Sequence, residues 1–274
     1  MGRNTRRGGF ALLGGVALAA LAWRAQARPS EPSAPAIPIA PIVVQAPPVP
    51  VAEPAPAVAD VAPVEPVVVD PRSLPATKAA AKILDLRETI TESLTETKYQ
   101  HRTVVRRREG VFLWDCSGMV AWMLRRAAPA ARKALDKGRP VARDFYRHIR
   151  RAPTKRAKNG WKRLAHIEDV QPGDVFAWQR PPNFPSKSTG HVGFAVERPR
   201  PVEEWPGAYT LRILDATSLR HDDDTRPRGG DGGWGEGTIL FMTDGAGHGT
   251  AYGWFGRRSR GVIETEIVFG RLTR

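Results

Sequence analysis

The sequence predicts an α+β fold in which helices are followed by a six-stranded antiparallel sheet. Three observations predict it. Apolar residues between 78 and 150 recur at helical spacing. From residue 174 onward the pattern changes to short extended runs parted by Gly and Pro turns. Helices and strands are thus segregated along the chain, not alternated, which favours an antiparallel sheet over parallel βαβ units.

Two segments precede the domain. Arg3, Arg6 and Arg7 lead into the apolar run from Phe10 to Trp23, and Ala25-Gln26-Ala27 supplies a small-x-small cleavage pattern. Residues 1–27 therefore read as a secretory signal peptide. The run is short for a bilayer span of about 20 residues. An uncleaved anchor is the alternative, so the expected membrane association is at most transient or N-terminal. Residues 28–75 hold 14 of the 25 prolines among Ala and Val and read as an extended tether. Residues 76–274 form the expected folded domain. Residues 1–75 carry 6 Lys+Arg against 5 Asp+Glu, so nearly all of the net charge of +14 belongs to the domain.

Lys78 to Leu94 is expected as the first helix, with Ala81, Ile83, Leu84, Ile90 and Leu94 on its apolar face. A second helix opens at Cys116 behind the capping residue Asp115, with Val120, Met123, Leu124 and Ala127 as its stripe. A third lies around Ala142 to Arg150. The six strands are Asp174 to Trp178, His191 to Glu197, Ala208 to Ala216, Gly237 to Thr243, Thr250 to Phe255 and Ile263 to Phe269.

There is one cysteine, so no internal disulfide forms; the thiol is either inert and buried or reactive. At a helix N-terminus the peptide dipoles favour the thiolate, and free N–H groups there can receive an oxyanion. His191 opens a strand whose face carries the small residues Gly193 and Ala195, leaving room for close packing of a helix. Asp215 ends the apolar face Tyr209, Leu211, Ile213 and needs a partner if buried. Cys116, His191 and Asp215 can thus serve as nucleophile, base and orienting carboxylate. Other signals are weaker. Residues 230–235 match a dinucleotide fingerprint by letter but lead into a strand. His221-Asp222-Asp223-Asp224 fits no cation loop and reads as a solvated turn. The Lys/Arg-rich stretch from Arg125 to Arg163 suits a polyanion, and export points to the cell wall over nucleic acid.

The blocks Asp115-Cys116-Ser117-Gly118, Gln171-Pro172-Gly173-Asp174-Val175, Gly190-His191-Val192-Gly193 and Leu214-Asp215-Ala216 resemble those of the NlpC-type cell-wall peptidases of the papain-like superfamily. The resemblance covers roughly Tyr99 to the C-terminus. It implies a papain-like α+β fold and cleavage of peptidoglycan stem peptides in the periplasm or cell wall. Carried over, Cys116 is the nucleophile, His191 the base and Asp215 the third residue. Tyr99, Ser117 and Gly190 are the expected oxyanion- and substrate-binding positions. No cofactor or metal is implied. The Trp-Gly-Gly stretch usual before the Cys block is missing, and the third position is Asp where the family often has His; His221 is the rival there. An acyltransferase or amidase, or a silent wall-binding module, are the alternative functions.

Overall fold

The computed structural model describes residues 70–256, 259 and 261–273. The expected signal peptide and the tether up to residue 69 lie outside them. Residues just before the domain are docked on it: Gln171 Nε2 donates to Leu74 O at 3.3 Å. Among the described residues no helix is long and apolar enough to cross a membrane.

Thr77 caps α1 (Lys78–Ser93) by accepting the Ala80 N–H at 3.0 Å, and the helix buries Ala79, Ala80, Ile83 and Ile90. Next come β1 (Glu96–Tyr99), β2 (Val104–Arg106) and β3 (Val111–Trp114), a small sheet in the order β1-β3-β2. Three helices follow: α2 (Cys116–Ala127), α3 (Pro129–Ala134) and α4 (Ala142–Arg151). The rest is strand: β4 (Trp161–Leu164), β5 (Val175–Gln179), β6 (Gly190–Ala195), β7 (Arg200–Pro201), β8 (Ala208–Thr217), β9 (Gly233–Thr243), β10 (Gly249–Gly253) and β11 (Val262–Leu272).

The strands correct the expected architecture. Successive antiparallel pairs run β10-β9-β8-β6-β5-β11, and β11 pairs again with β10. The six strands therefore close on themselves as a barrel. The fold is mostly β, not a papain-like layer of helices on a sheet. Closure depends on the length of β11. Residues 262–267 pair with β10, residues 267–270 with β5, and residues 269–272 with β4. One strand thus bridges both ends of the sheet. A register shift between Gly249 and Ala251 bends β10 towards it. A closed sheet has no free edges to protect.

Alternation along the strands sorts two cores. Phe176 and Trp178 of β5 join Leu211, Ile213, Phe241 and Phe269 in the barrel interior. Val175 and Ala177 face the other way, with Val192, Phe194, Leu214 and Ala216, onto α2 and α4. Trp161 Nε1 donates to Ala131 O at 2.8 Å and ties α3 to this outer core. The small residues of the His191 face do not receive a helix, as the sequence suggested. Gly193 instead lies against the barrel interior, where a Cβ would stand 2.6 Å from Leu214 O and 2.7 Å from the Phe176 ring.

That contact makes a test. Gly193→Ala should destabilise the domain by about 1–3 kcal/mol, the usual cost of overpacking. Gly138→Ala meets nothing within 4 Å and should stay within about 0.5 kcal/mol of wild type. Urea unfolding of the two variants checks it, and equal stabilities would refute this packing.

Candidate active site

Cys116 is placed by the cap that precedes it. Asp115 is extended, and its Oδ1 accepts the Gly118 N–H at 2.7 Å and the Ser117 hydroxyl at 2.8 Å. Helix α2 therefore starts at Cys116. The thiol is buried, with 7% of the residue exposed, and the backbone N–H groups of Val192 and Ser117 lie near it. Burial pushes the thiol pKa well up, and the Asp115 charge pushes it further; the two N–H groups oppose this and lose. The helix dipole does not by itself produce a thiolate here, contrary to the expectation from the sequence. The resting group is a thiol.

His191 lies near the start of β6 with its ring between Trp178 (centroids 5.1 Å apart) and Trp254 (5.3 Å, edge-on). Its Nε2 is 2.8 Å from Asp215 Oδ2. An ionised Asp215 can only accept, so Nε2 carries a hydrogen and donates it. Strand β6 runs past the thiol at the residue after His191. Pairing of β6 with β8 is confined to Phe194–Leu214 and Ala195–Ile213. Towards His191 the strands part, and the Val192 N–H meets Cys116 at the head of α2.

Asp215 is fully buried. Burial alone would raise its pKa; the Arg226 charge, then the His191 hydrogen bond and the nearby His221 ring, hold it well below the usual carboxylate range. Arg226 was not anticipated from the sequence. Its guanidinium bonds Asp215 Oδ1, the Asp215 carbonyl at 2.6 Å, Gly233 O at 2.8 Å and Asp224 Oδ2 at 2.7 Å. The residue is 3% exposed. It reaches this position because Gly235 has no side chain: a Cβ there would stand 2.5 Å from Arg226 Cγ. Two residues on, a Cβ on Gly237 would meet His221 at 2.6 Å. Gly235, the last glycine of the dinucleotide-like run, and Gly237 beyond it thus open one face of β9 to the loop before it.

His221 is no solvated turn residue. It is buried, stacked on Trp254 at 4.2 Å, with Nε2 3.6 Å from Asp215 Oδ2. Asp215 has the primary contact to His191, and His221 stands behind it. The acidic run beside it is committed to protein groups: Asp224 accepts the His221 and Arg226 N–H groups, and Asp223 accepts from Thr238. Among the described residues no His/Cys/Asp/Glu group is arranged to hold a metal.

The remaining expected positions divide. Tyr99, Gly190 and His191 line one cleft of about 420 Å³ with Trp178 and Trp254. Burial first, then the nearness of Cys116 and Asp115, pushes the Tyr99 phenol pKa up, so it keeps its proton and can donate a hydrogen bond. The Ser117 hydroxyl is spent on the Asp115 cap, which leaves its N–H as its contribution. Arg180 shapes the cleft wall through bonds to Phe184 O at 3.0 Å and Ser186 O at 2.5 Å.

Comparison with known proteins adds one relative. Over 212 residues the chain is 30% identical to an uncharacterized protein of Acanthamoeba polyphaga mimivirus, covering 65% of this chain and 88% of that protein. The chain belongs to the same family as that viral protein. No family model matches it. No solved structure matches it either.

The Asp215 cluster predicts an acid response. A carboxylate with a depressed folded pKa stabilises the fold above its ordinary range, near pH 4, and loses that contribution as pH falls through the folded value. The stability difference between wild type and Asp215→Asn should therefore narrow steadily below about pH 4. Arg226→Gln leaves a buried carboxylate uncompensated and should cost about 3–5 kcal/mol at pH 7. Urea unfolding at several pH values reads both, and a pH-independent difference would contradict the assigned charge on Asp215.

Proposed function

We propose that this chain is an exported cysteine hydrolase that cuts amide bonds in peptidoglycan stem peptides. One observation carries the chemical part: the His191–Asp215 hydrogen bond of 2.8 Å stands beside the strand whose Val192 N–H contacts the chain's single thiol. The substrate class and export rest on the sequence, through the four matching blocks and the leader over residues 1–27. A papain-like fold is not part of the reading.

In this scheme the scissile amide lies in the aromatic-walled cleft with its carbonyl carbon over Cys116. His191 Nδ1 takes the thiol proton as Sγ attacks. General-base activation suits a thiol whose pKa is raised by burial better than a standing thiolate. The backbone N–H groups at the head of α2 and the Tyr99 hydroxyl receive the oxyanion. Imidazolium then protonates the leaving amine, stabilised by Asp215 on its other nitrogen. Water, deprotonated by His191, releases the acyl group. Cys116, His191 and Asp215 act as nucleophile, base and orienting group, and the scheme requires no cofactor.

Digestion of purified peptidoglycan, followed by mass spectrometry of the released fragments, tests the reading. Wild type should free stem peptides, and Cys116→Ala should free none while remaining folded. Turnover by Cys116→Ala would end the cysteine mechanism. Activity on small amide substrates with an inert wall would end only the peptidoglycan assignment. Aminolysis products that dominate when an amine is added would identify a transferase.

The buried thiol sets a second expectation. Iodoacetamide should label Cys116 at least about tenfold more slowly than a free thiol at pH 7.5, with a rate that climbs into the alkaline range. Fast labelling with a plateau near neutrality would replace the general-base step with a preformed ion pair.

A further inference from the structure

The basic stretch that opens at Arg125 has no part in the chemistry above. Its first residue belongs to a concave surface. Gly118, Ala121 and Arg125 share one face of α2, and with Arg102, Thr103 and Arg139 they line a groove of about 240 Å³. The small residues make its floor. A Cβ on Gly118 would stand 2.3 Å from Thr103 Oγ1, so helix and loop are in contact there.

The groove is out of charge balance. Arg102 and Arg125 are exposed and make no ion pair among the described residues. Arg139 bonds His101 O and approaches Asp115 Oδ2 at 3.6 Å. Asp115 is already shared: its Oδ1 takes the Gly118 and Ser117 bonds, and its Oδ2 lies 3.3 Å from His101 Nδ1. Three guanidinium groups therefore face one carboxylate. The surroundings add to the excess. Burial, then the Arg125 charge, lowers the pKa of Arg132, whose Nε is buried without a hydrogen-bond partner. Burial, then Arg107 and Arg125, lowers that of Arg126.

We propose that this groove binds a phosphate monoester group. Two uncompensated cations match a doubly charged oxyanion, where a carboxylate would leave one of them unanswered. Guanidinium forks suit phosphate oxygens in paired hydrogen bonds, and the Thr103 hydroxyl adds a donor at the floor. The volume also fits. Pockets for whole organic ligands span roughly 300–1,000 Å³, so this one takes a phosphate and little of what bears it. His101 lines the catalytic cleft and the adjacent Arg102 lines the groove, so the two lie on opposite sides of one short segment. A ligand in the groove leaves the cleft open.

Calorimetric titration of the full chain with inorganic phosphate at pH 7.5 tests the site. Sodium chloride is adjusted to hold ionic strength, so that screening does not vary. Saturable binding is expected, with acetate and the singly charged dimethyl phosphate at least tenfold weaker. The double variant Arg102→Gln, Arg125→Gln and the single variant Arg125→Glu should each weaken phosphate binding at least tenfold. Both change exposed side chains, and their unfolding midpoints without phosphate should match wild type. Cys116→Ala should bind phosphate as wild type does, which separates this site from the proposed hydrolysis. Non-saturable heats, equal affinity for acetate or dimethyl phosphate, or unchanged binding in the folded variants would each overturn the proposal.

Discussion

The carboxylate of Asp215 is fully buried, and everything near the candidate site is arranged to hold its charge. An ion pair taken out of water is a poor source of net stability, because desolvation offsets most of the attraction. What it supplies is direction. Arg226 occupies one carboxylate oxygen and leaves the other for His191 at 2.8 Å. For Arg226 to arrive, the loop between β8 and β9 must fold back over β9, and Gly235 and Gly237 must lack side chains. Asp224 then closes the loop by accepting both the Arg226 backbone N–H and one arm of its guanidinium. A single buried charge thus accounts for a glycine pattern, a loop conformation and a histidine tautomer.

Barrel closure does the complementary work on the other side of His191. Strand β5 pairs with β6 along residues 175–179, which holds His191 opposite Trp178. Strand β8 pairs with β6 at two positions only. The sheet is therefore continuous behind the histidine and parted in front of it, where the head of α2 delivers the thiol. Closure is not decorative: β11 must span from β10 to β5 to keep the parted strands from separating further.

Local patterns in the sequence located much of this. The cap Asp115 and the stripe behind it placed the start of α2 at Cys116. Period-two alternation put Asp215 on the same face as Leu211 and Ile213, which do line the barrel interior. The six expected strands correspond to β5, β6, β8, β9, β10 and β11. Their assembly was not legible, because closure depends on β11 dividing its length among β10, β5 and β4, and no window of sequence encodes that division. Arg226 was hidden for a different reason. It sits in a loop without periodicity, and only the alternating glycines at 235 and 237 signal that something large must lie across β9. His221 was misplaced by the same loop, whose acidic residues look solvated until their partners are known.

The protonation of the thiol ties these strands of argument together. A helix N-terminus lowers a thiol pKa only where burial does not overwhelm it, and at Cys116 the loss of water is the larger effect. The nearest charges, on Asp115 and Asp215, are negative and act in the same direction. Arg226 cancels the second of these at its source, so the carboxylate can orient His191 without also repelling an incipient thiolate at full strength. In the proposed scheme His191 Nδ1 accepts the thiol proton when a carbonyl arrives. In this arrangement the buried arginine, which touches neither thiol nor cleft, keeps Asp215 ionised and able to accept from His191.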